Sequence, residues 1–279
     1  MRRRTVLGLP ALGVVAAALV ACGEDAPVRE PDGPGEGRTA YGDDPSQFGD
    51  LYLPEGTPRG VVVVVHGGFW LDSYDLSLGA PLATSLAAEG WAAWNLEYRR
   101  VGSGCGAPAT FDDIDAGIDA LADLGVDTTT VVALGHSAGG HLATWAAARG
   151  RYDEWSAAVP VTHVVSQAGV LDLVAADAED LGNGAVAGLL GGAPTDADER
   201  YDPAQQLPLD VPVWCVHGTD DTNVPYSQSE DYVAAATGAG AEAELVTVDG
   251  GDHFVLIDAT SEAWARQLEI LDGIAPRPR

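Results

Sequence analysis

Lysine does not occur in the 279 residues; all 14 basic side chains are arginine, set against 42 Asp and Glu. The resulting net charge of −28 repels phosphate backbones and anionic headgroups, so nucleic acid is not an expected partner. The acids are spread along the chain, as a solvated surface requires, and are not gathered in one block. Only three cysteines occur, at 22, 105 and 215, and no C-x-x-C, H-E-x-x-H or G-x-G-x-x-G spacing is present. Zinc-ribbon, zincin and dinucleotide-binding readings lose their basis, and neither a metal nor an organic cofactor is expected. What remains is a chain that is 46% hydrophobic and long enough to bury a large core.

The N-terminus joins three arginines to an apolar stretch that ends in a small residue and Cys22, so residues 1–21 read as an export signal. Leu19-Val20-Ala21-Cys22 resembles the bacterial lipobox, and the resemblance implies cleavage before Cys22 and a lipid anchor on that residue. Arg3-Arg4-Thr5-Val6-Leu7 is similar to a loose twin-arginine signal. The expected location is the outer face of the bacterial cytoplasmic membrane, with plain secretion or a retained membrane helix as alternatives. Residues 22–37, rich in proline, glycine and acids, form the expected tether. Cys215 lies in an apolar strand-like run and Cys105 in a glycine loop, contexts that argue against a disulfide between them.

From residue 38 to about 275, short β-branched runs alternate with longer amphipathic stretches, the pattern of a mostly parallel sheet covered by helices. A hairpin within residues 38–56 is followed by the valine run 61–65, which is apolar throughout and so expected to be buried on both faces. WAAWNLEYR, TTVVALG, VTHVVSQAG, VPVWCVHG and AELVTVDG complete about eight strands, with amphipathic segments between them. Residues 171–209 are too long for a simple crossover and are expected to form a small cap-like insertion.

Gly135-His136-Ser137-Ala138-Gly139 stands where a strand meets a helix, and a sharp turn there would lift the serine hydroxyl toward the N–H groups of the helix start. A serine hydroxyl is a poor nucleophile until a base takes its proton, and that base needs a carboxylate to orient it. His66, His136, His141, His163 and His217 lie in or beside regular elements. His253 instead occupies the glycine-softened loop VDGGDHF after the last strand, where its ring can swing over the sheet edge. Asp220 and Asp221 both follow VPVWCVHG and are candidates for the acid, while Asp252 suits a turn cap.

HGGFW, GHSAGGHLA, HGTDDTNVP and GGDHF, in this order, resemble the α/β-hydrolase superfamily, and within it the small carboxylesterases and arylformamidase-like members with an HGG-x-W motif. The resemblance implies that fold and a triad of Ser137, Asp221 and His253, Asp221 matching the aspartate of HG-x-x-D-x-x-VP. It also implies an oxyanion hole of the N–H groups of Gly68, Phe69 and Ala138, with Gly67 as the shifted alternative. His66 would brace the turn, and Trp70 and His136 would border the substrate pocket with Phe69. The expected reaction is hydrolysis of small or medium carboxylic esters through an acyl-enzyme. An arylformamidase-type amidase and a non-catalytic binding lipoprotein are the alternatives, and the expected partners are a small ester and a membrane reached through the lipid.

Overall fold

The structure, a computed structural model, describes residues 37–275. The export signal, Cys22 and the tether up to residue 36 lie outside the described residues. Gly37, placed in the tether by its composition, is already the first residue of the sheet and pairs with Leu51.

Eight strands form one sheet: β1 (Gly37–Ala40), β2 (Phe48–Tyr52), β3 (Val61–Val65), β4 (Ala92–Leu96), β5 (Val131–His136), β6 (His163–Gln167), β7 (Val213–Gly218) and β8 (Ala243–Val248). Their order is β1-β2-β4-β3-β5-β6-β7-β8. The first two are antiparallel and every pairing from β4 to β8 is parallel, as the alternating pattern requires. Among the described residues seven α-helices accompany the sheet: α1 (Ala80–Ala88), α2 (Ala109–Asp119), α3 (Ala138–Ala146), α4 (Leu173–Ala178), α5 (Ala185–Leu190), α6 (Ser227–Gly238) and α7 (Glu262–Ile274).

The valine run shows how the two faces are filled. Successive side chains of a strand point to opposite faces. Val61, Val63 and Val65 therefore join Trp94, Phe111, Leu142 and Trp145 in one core cluster. Val62 and Val64 join Leu82, Leu86, Trp91, Trp264 and Leu271 in the other. None of the five valines is more than 2% exposed, which explains a segment with no polar alternation.

The insertion packs more firmly than a loose cap would. Leu173, Ala176, Leu181, Ala185, Val186 and Leu189 are buried and belong to the same cluster as Val63. The Ala107 amide donates to the Leu189 carbonyl at 2.7 Å and ties the insertion to the loop after β4. Cys105 and Cys215 are free thiols, and burial in β7 pushes the Cys215 thiol up to about 12. No helix among the described residues is long and apolar enough to cross a membrane.

Parallel strands and their crossovers place the ends of β3, β5, β7 and β8 along one edge, where the backbones approach closely. A Cβ on Gly135 would lie 2.1 Å from the Gly139 carbonyl oxygen, and one on Gly139 would lie 2.0 Å from that of Val65. Those obstacles are backbone and cannot rotate away. Gly135→Ala should therefore cost roughly 3 kcal/mol or more in denaturant unfolding. Gly273→Ala, in α7 with nothing within 4 Å of the new Cβ, should be neutral or stabilise by up to about 1 kcal/mol.

Candidate active site

Ser137 is the hinge between β5 and α3. Its φ of 55° and ψ of −120° lie where L-residues are strained, at a cost on the order of 1–3 kcal/mol. The Gly135–Gly139 contact and the bond from the Ser137 amide to the Gln167 carbonyl, 2.8 Å, hold it there. Among the described residues the Ser137 hydroxyl has no hydrogen-bond partner, and it does not cap the helix it begins. Catalytic hydrogen bonds are often long in a resting site and tighten around substrate.

The turn after β3 lies directly against this serine. A Cβ on Gly67 would sit 3.0 Å from Ser137 Cβ and 2.7 Å from the His136 carbonyl oxygen, so only glycine fits. Gly68, Phe69 and Trp70 follow with φ of 112°, 53° and 57°. Two successive non-glycine residues in the left-handed region need strong anchors. Trp70 supplies one, being fully buried with its indole N–H donating to His141 Nδ1 at 3.2 Å. His66 supplies another: its Nδ1–H donates to the Gly67 carbonyl at 2.8 Å, its ring stacks on Tyr98, and Nε2 lies 3.1 Å from Glu97. Glu97 is also bound by Arg100 and by the amides of Leu76 and Tyr98. Among the described residues no acceptor pairs with the N–H groups of Gly67, Gly68, Phe69 or Ala138.

Asp221 and His253 meet at the ends of β7 and β8. His253 Nδ1 donates to Asp221 Oδ2 at 2.6 Å, while Asp221 Oδ1 accepts the amides of Asn223 and Val224 at 2.8 and 2.9 Å. Burial alone would raise the Asp221 pKa. Hydrogen bonds from His217, His253 and the Val224 amide outweigh it and hold the carboxyl well below the usual carboxylate range. Asp220 is exposed, and its carboxylate accepts from the Thr219 hydroxyl instead of from His253. Asp252 accepts the amides of Phe254 and Val255 and so shapes the histidine loop.

Two expected pocket residues are buried. Trp70 lies in the core, because the left-handed backbone at 69–70 turns its indole inward to His141. His136 is 5% exposed and does not form an open wall; its Nε2–H donates to the His253 carbonyl at 2.8 Å. Phe69 is half-buried, and its ring lies where a Cβ on Gly182 of the insertion would fall, 2.6 Å away. His217 is an addition that sequence reasoning missed. Its Nε2 lies 3.2 Å from Asp221 Oδ2 and its Nδ1 is 2.8 Å from Ser229 Oγ, so the carboxylate stands between two imidazoles. The only signal was the spacing His217-x-x-x-Asp221. No group of three or more His, Cys, Asp or Glu suited to a metal ion occurs among the described residues.

A strained serine, a histidine–aspartate pair and unpaired amides at one sheet edge lead to the comparison with known proteins, where residues 50–235 match the BD-FAE family model. The chain belongs to the BD-FAE family. It is 29% identical over 240 residues to a probable isoprenylcysteine alpha-carbonyl methylesterase of Oryza sativa subsp. japonica, covering 76% of this chain and 56% of that protein. It is 31% identical over 130 residues to esterase LipC of Mycobacterium tuberculosis, covering 44% of this chain and 32% of that one. The chain thus spans about half the length of the curated plant relatives it matches. Among solved structures it resembles Thermogutta terrifontis esterase 2 phosphonylated by sarin, with a TM-score of 0.73 at 23% identity, covering 87% of this chain and 95% of that one. A truncated carbohydrate esterase from gut microbiota superposes with a TM-score of 0.71 at 20% identity, covering 86% and 95%. The fold of this BD-FAE chain is that of α/β-hydrolase esterases.

Two buried histidines beside the site tie its integrity to pH. Burial lowers the pKa of His136 to about 3, with the nearby His253 adding to the effect, and lowers that of His141 to about 4. Unfolded, both return to about 6.5. The unfolded chain therefore binds more protons below that value, and stability present above pH 6.5 is lost as pH falls toward 4. At pH 5 each histidine should account for a loss on the order of 2 kcal/mol. Urea unfolding at pH 7 and pH 5 should show a smaller acid loss in His141→Gln than in the parent by about that amount.

Proposed function

We propose that the chain is a serine hydrolase that cleaves small or medium carboxylic esters through an acyl-enzyme. The observation that carries this reading is the 2.6 Å bond between His253 and Asp221 at the same sheet edge as the strained Ser137 and the unpaired amides of the 67–69 turn. The esterase names borne by its relatives support the same reaction class.

In this mechanism His253 takes the proton from Ser137 as the hydroxyl attacks the ester carbonyl. Charge moves onto the carbonyl oxygen, where the amides of Gly68, Phe69 and Ala138 receive it, each such donor being worth roughly 3–4 kcal/mol of barrier. Asp221 holds the Nδ1–H tautomer and stabilises the imidazolium without taking the proton. His253 then protonates the leaving alcohol, deprotonates a water, and the acyl-enzyme is hydrolysed. The negative surface favours neutral or cationic esters over anionic ones. We further propose that export and lipidation of Cys22 tether this activity outside the cytoplasmic membrane, a reading supported by residues 1–22 alone.

Ser137→Ala should lower kcat on p-nitrophenyl acetate by at least about 10⁴-fold with an unchanged circular-dichroism spectrum. Retention of substantial turnover would remove the serine from the mechanism. A large preference for N-formylkynurenine over the acetate would move the reading to an amidase. Because Asp221 stays ionised throughout, kcat/KM between pH 5 and 8 should show no limb from this acid, and a carboxylate limb traced to Asp221 in that range would contradict its role as a permanent charge beside the base.

A further inference from the structure

We propose that His136 is a positioning residue that sets the spacing between the donor turn, the nucleophile and the base, an inference that rests on the serine-hydrolase reading above. The residue precedes Ser137 and stands on the last position of β5, so its backbone is fixed by the ladder that fixes the serine. Its ring lies against His253, with centroids 4.4 Å apart and planes at 48°. Its Nε2–H donates to the His253 backbone carbonyl at 2.8 Å. On the other side, a Cβ on Gly67 would meet His136 Nδ1 at 3.1 Å. One side chain therefore spans from the turn that would hold the oxyanion to the loop that carries the base.

The geometry explains why a loop histidine can be placed so tightly. His253 lies on a segment that follows glycines 250 and 251, which cannot fix a ring by themselves. Its imidazole is held at Nδ1 by Asp221 and its own carbonyl by His136, so ring and backbone are both pinned. Further along the loop, Gln167 and Gln267 both donate to the Leu256 carbonyl, at 2.9 and 3.0 Å. Those contacts anchor the far end, and His136 is the anchor at the residue that moves protons. The buried ring stays neutral over the working range, and the carbonyl acceptor selects the tautomer with its proton on Nε2. A displacement of the base by about 1 Å is enough to cost on the order of 10²-fold in rate.

The test is a set of three substitutions assayed on p-nitrophenyl acetate, beside Ser137→Ala. His136→Gln can place its amide N–H near the position of Nε2; His136→Asn reaches only as far as Nδ1, and His136→Phe keeps the ring without a donor. His136→Phe and His136→Asn should lower kcat by about 10²-fold with KM within about twofold, and His136→Gln should recover most of the loss. The rate of inactivation by a fluorophosphonate should follow the same ranking. If Phe does not fold, Asn against Gln decides, since both are polar and differ in reach. Equal kcat for Asn and Gln, whether low or at the parent level, overturns the proposal. If Ser137→Ala retains turnover, the reading of the reaction fails first, whereas loss in Ser137→Ala with normal turnover in all three His136 variants refutes the positioning role alone.

Discussion

The whole site depends on three backbone surfaces being allowed to touch. The end of β3, the end of β5 and the first turn of α3 meet where Gly67, Gly135 and Gly139 stand, at separations no Cβ could occupy. That contact holds Ser137 in its strained positive-φ conformation and brings the 67–69 turn against it. A strained residue persists only when its surroundings over-determine it. Here the surroundings are a parallel ladder, a helix start and a turn buttressed by Trp70, His66 and Glu97.

Electrostatics are organised around the same edge. Asp221 is taken out of water, which alone would favour its neutral form, yet two amides and two imidazoles converge on its oxygens. The result is a permanent negative charge beside His253 in a low-dielectric setting, where it acts more strongly than in water. His136, His141 and His66 are spent on geometry, each donating a ring N–H to a backbone carbonyl. Of the two histidines whose rings reach this acid, His253 stands on the glycine loop and makes the shorter contact, 2.6 Å against 3.2 Å for His217.

Much of the fold was legible because hydrophobic period and strand burial are local properties. The run Val61–Val65 could only be a doubly covered strand, and each strand-end motif announced a turn. The preference for Asp221 over Asp220 came from motif spacing, and the structure pairs Asp221 with His253 while Asp220 faces solvent. Side-chain aim was not legible. Trp70 turns to the core because positive φ at residues 69 and 70 reverses the direction that strand alternation would suggest. His136 carries its meaning in a contact 117 residues away along the chain, which no local pattern encodes, and His217 in one only four residues away, where the bare spacing does not tell an acid partner from a neighbour. The insertion looked like a cap from its length, and its buried apolar side chains could be assigned to the main core only in three dimensions.

The central claim is that Ser137 is a nucleophile activated by the His253–Asp221 pair. Treatment of the folded protein with a fluorophosphonate, followed by peptide mass mapping, tests it most directly, and the fold neighbour from Thermogutta terrifontis is known in a phosphonylated form. The account predicts a single adduct, on the peptide containing Ser137, that disappears when His253 is replaced by alanine. A folded protein that takes no adduct, or takes it at another residue with Ser137 unmodified, would contradict it.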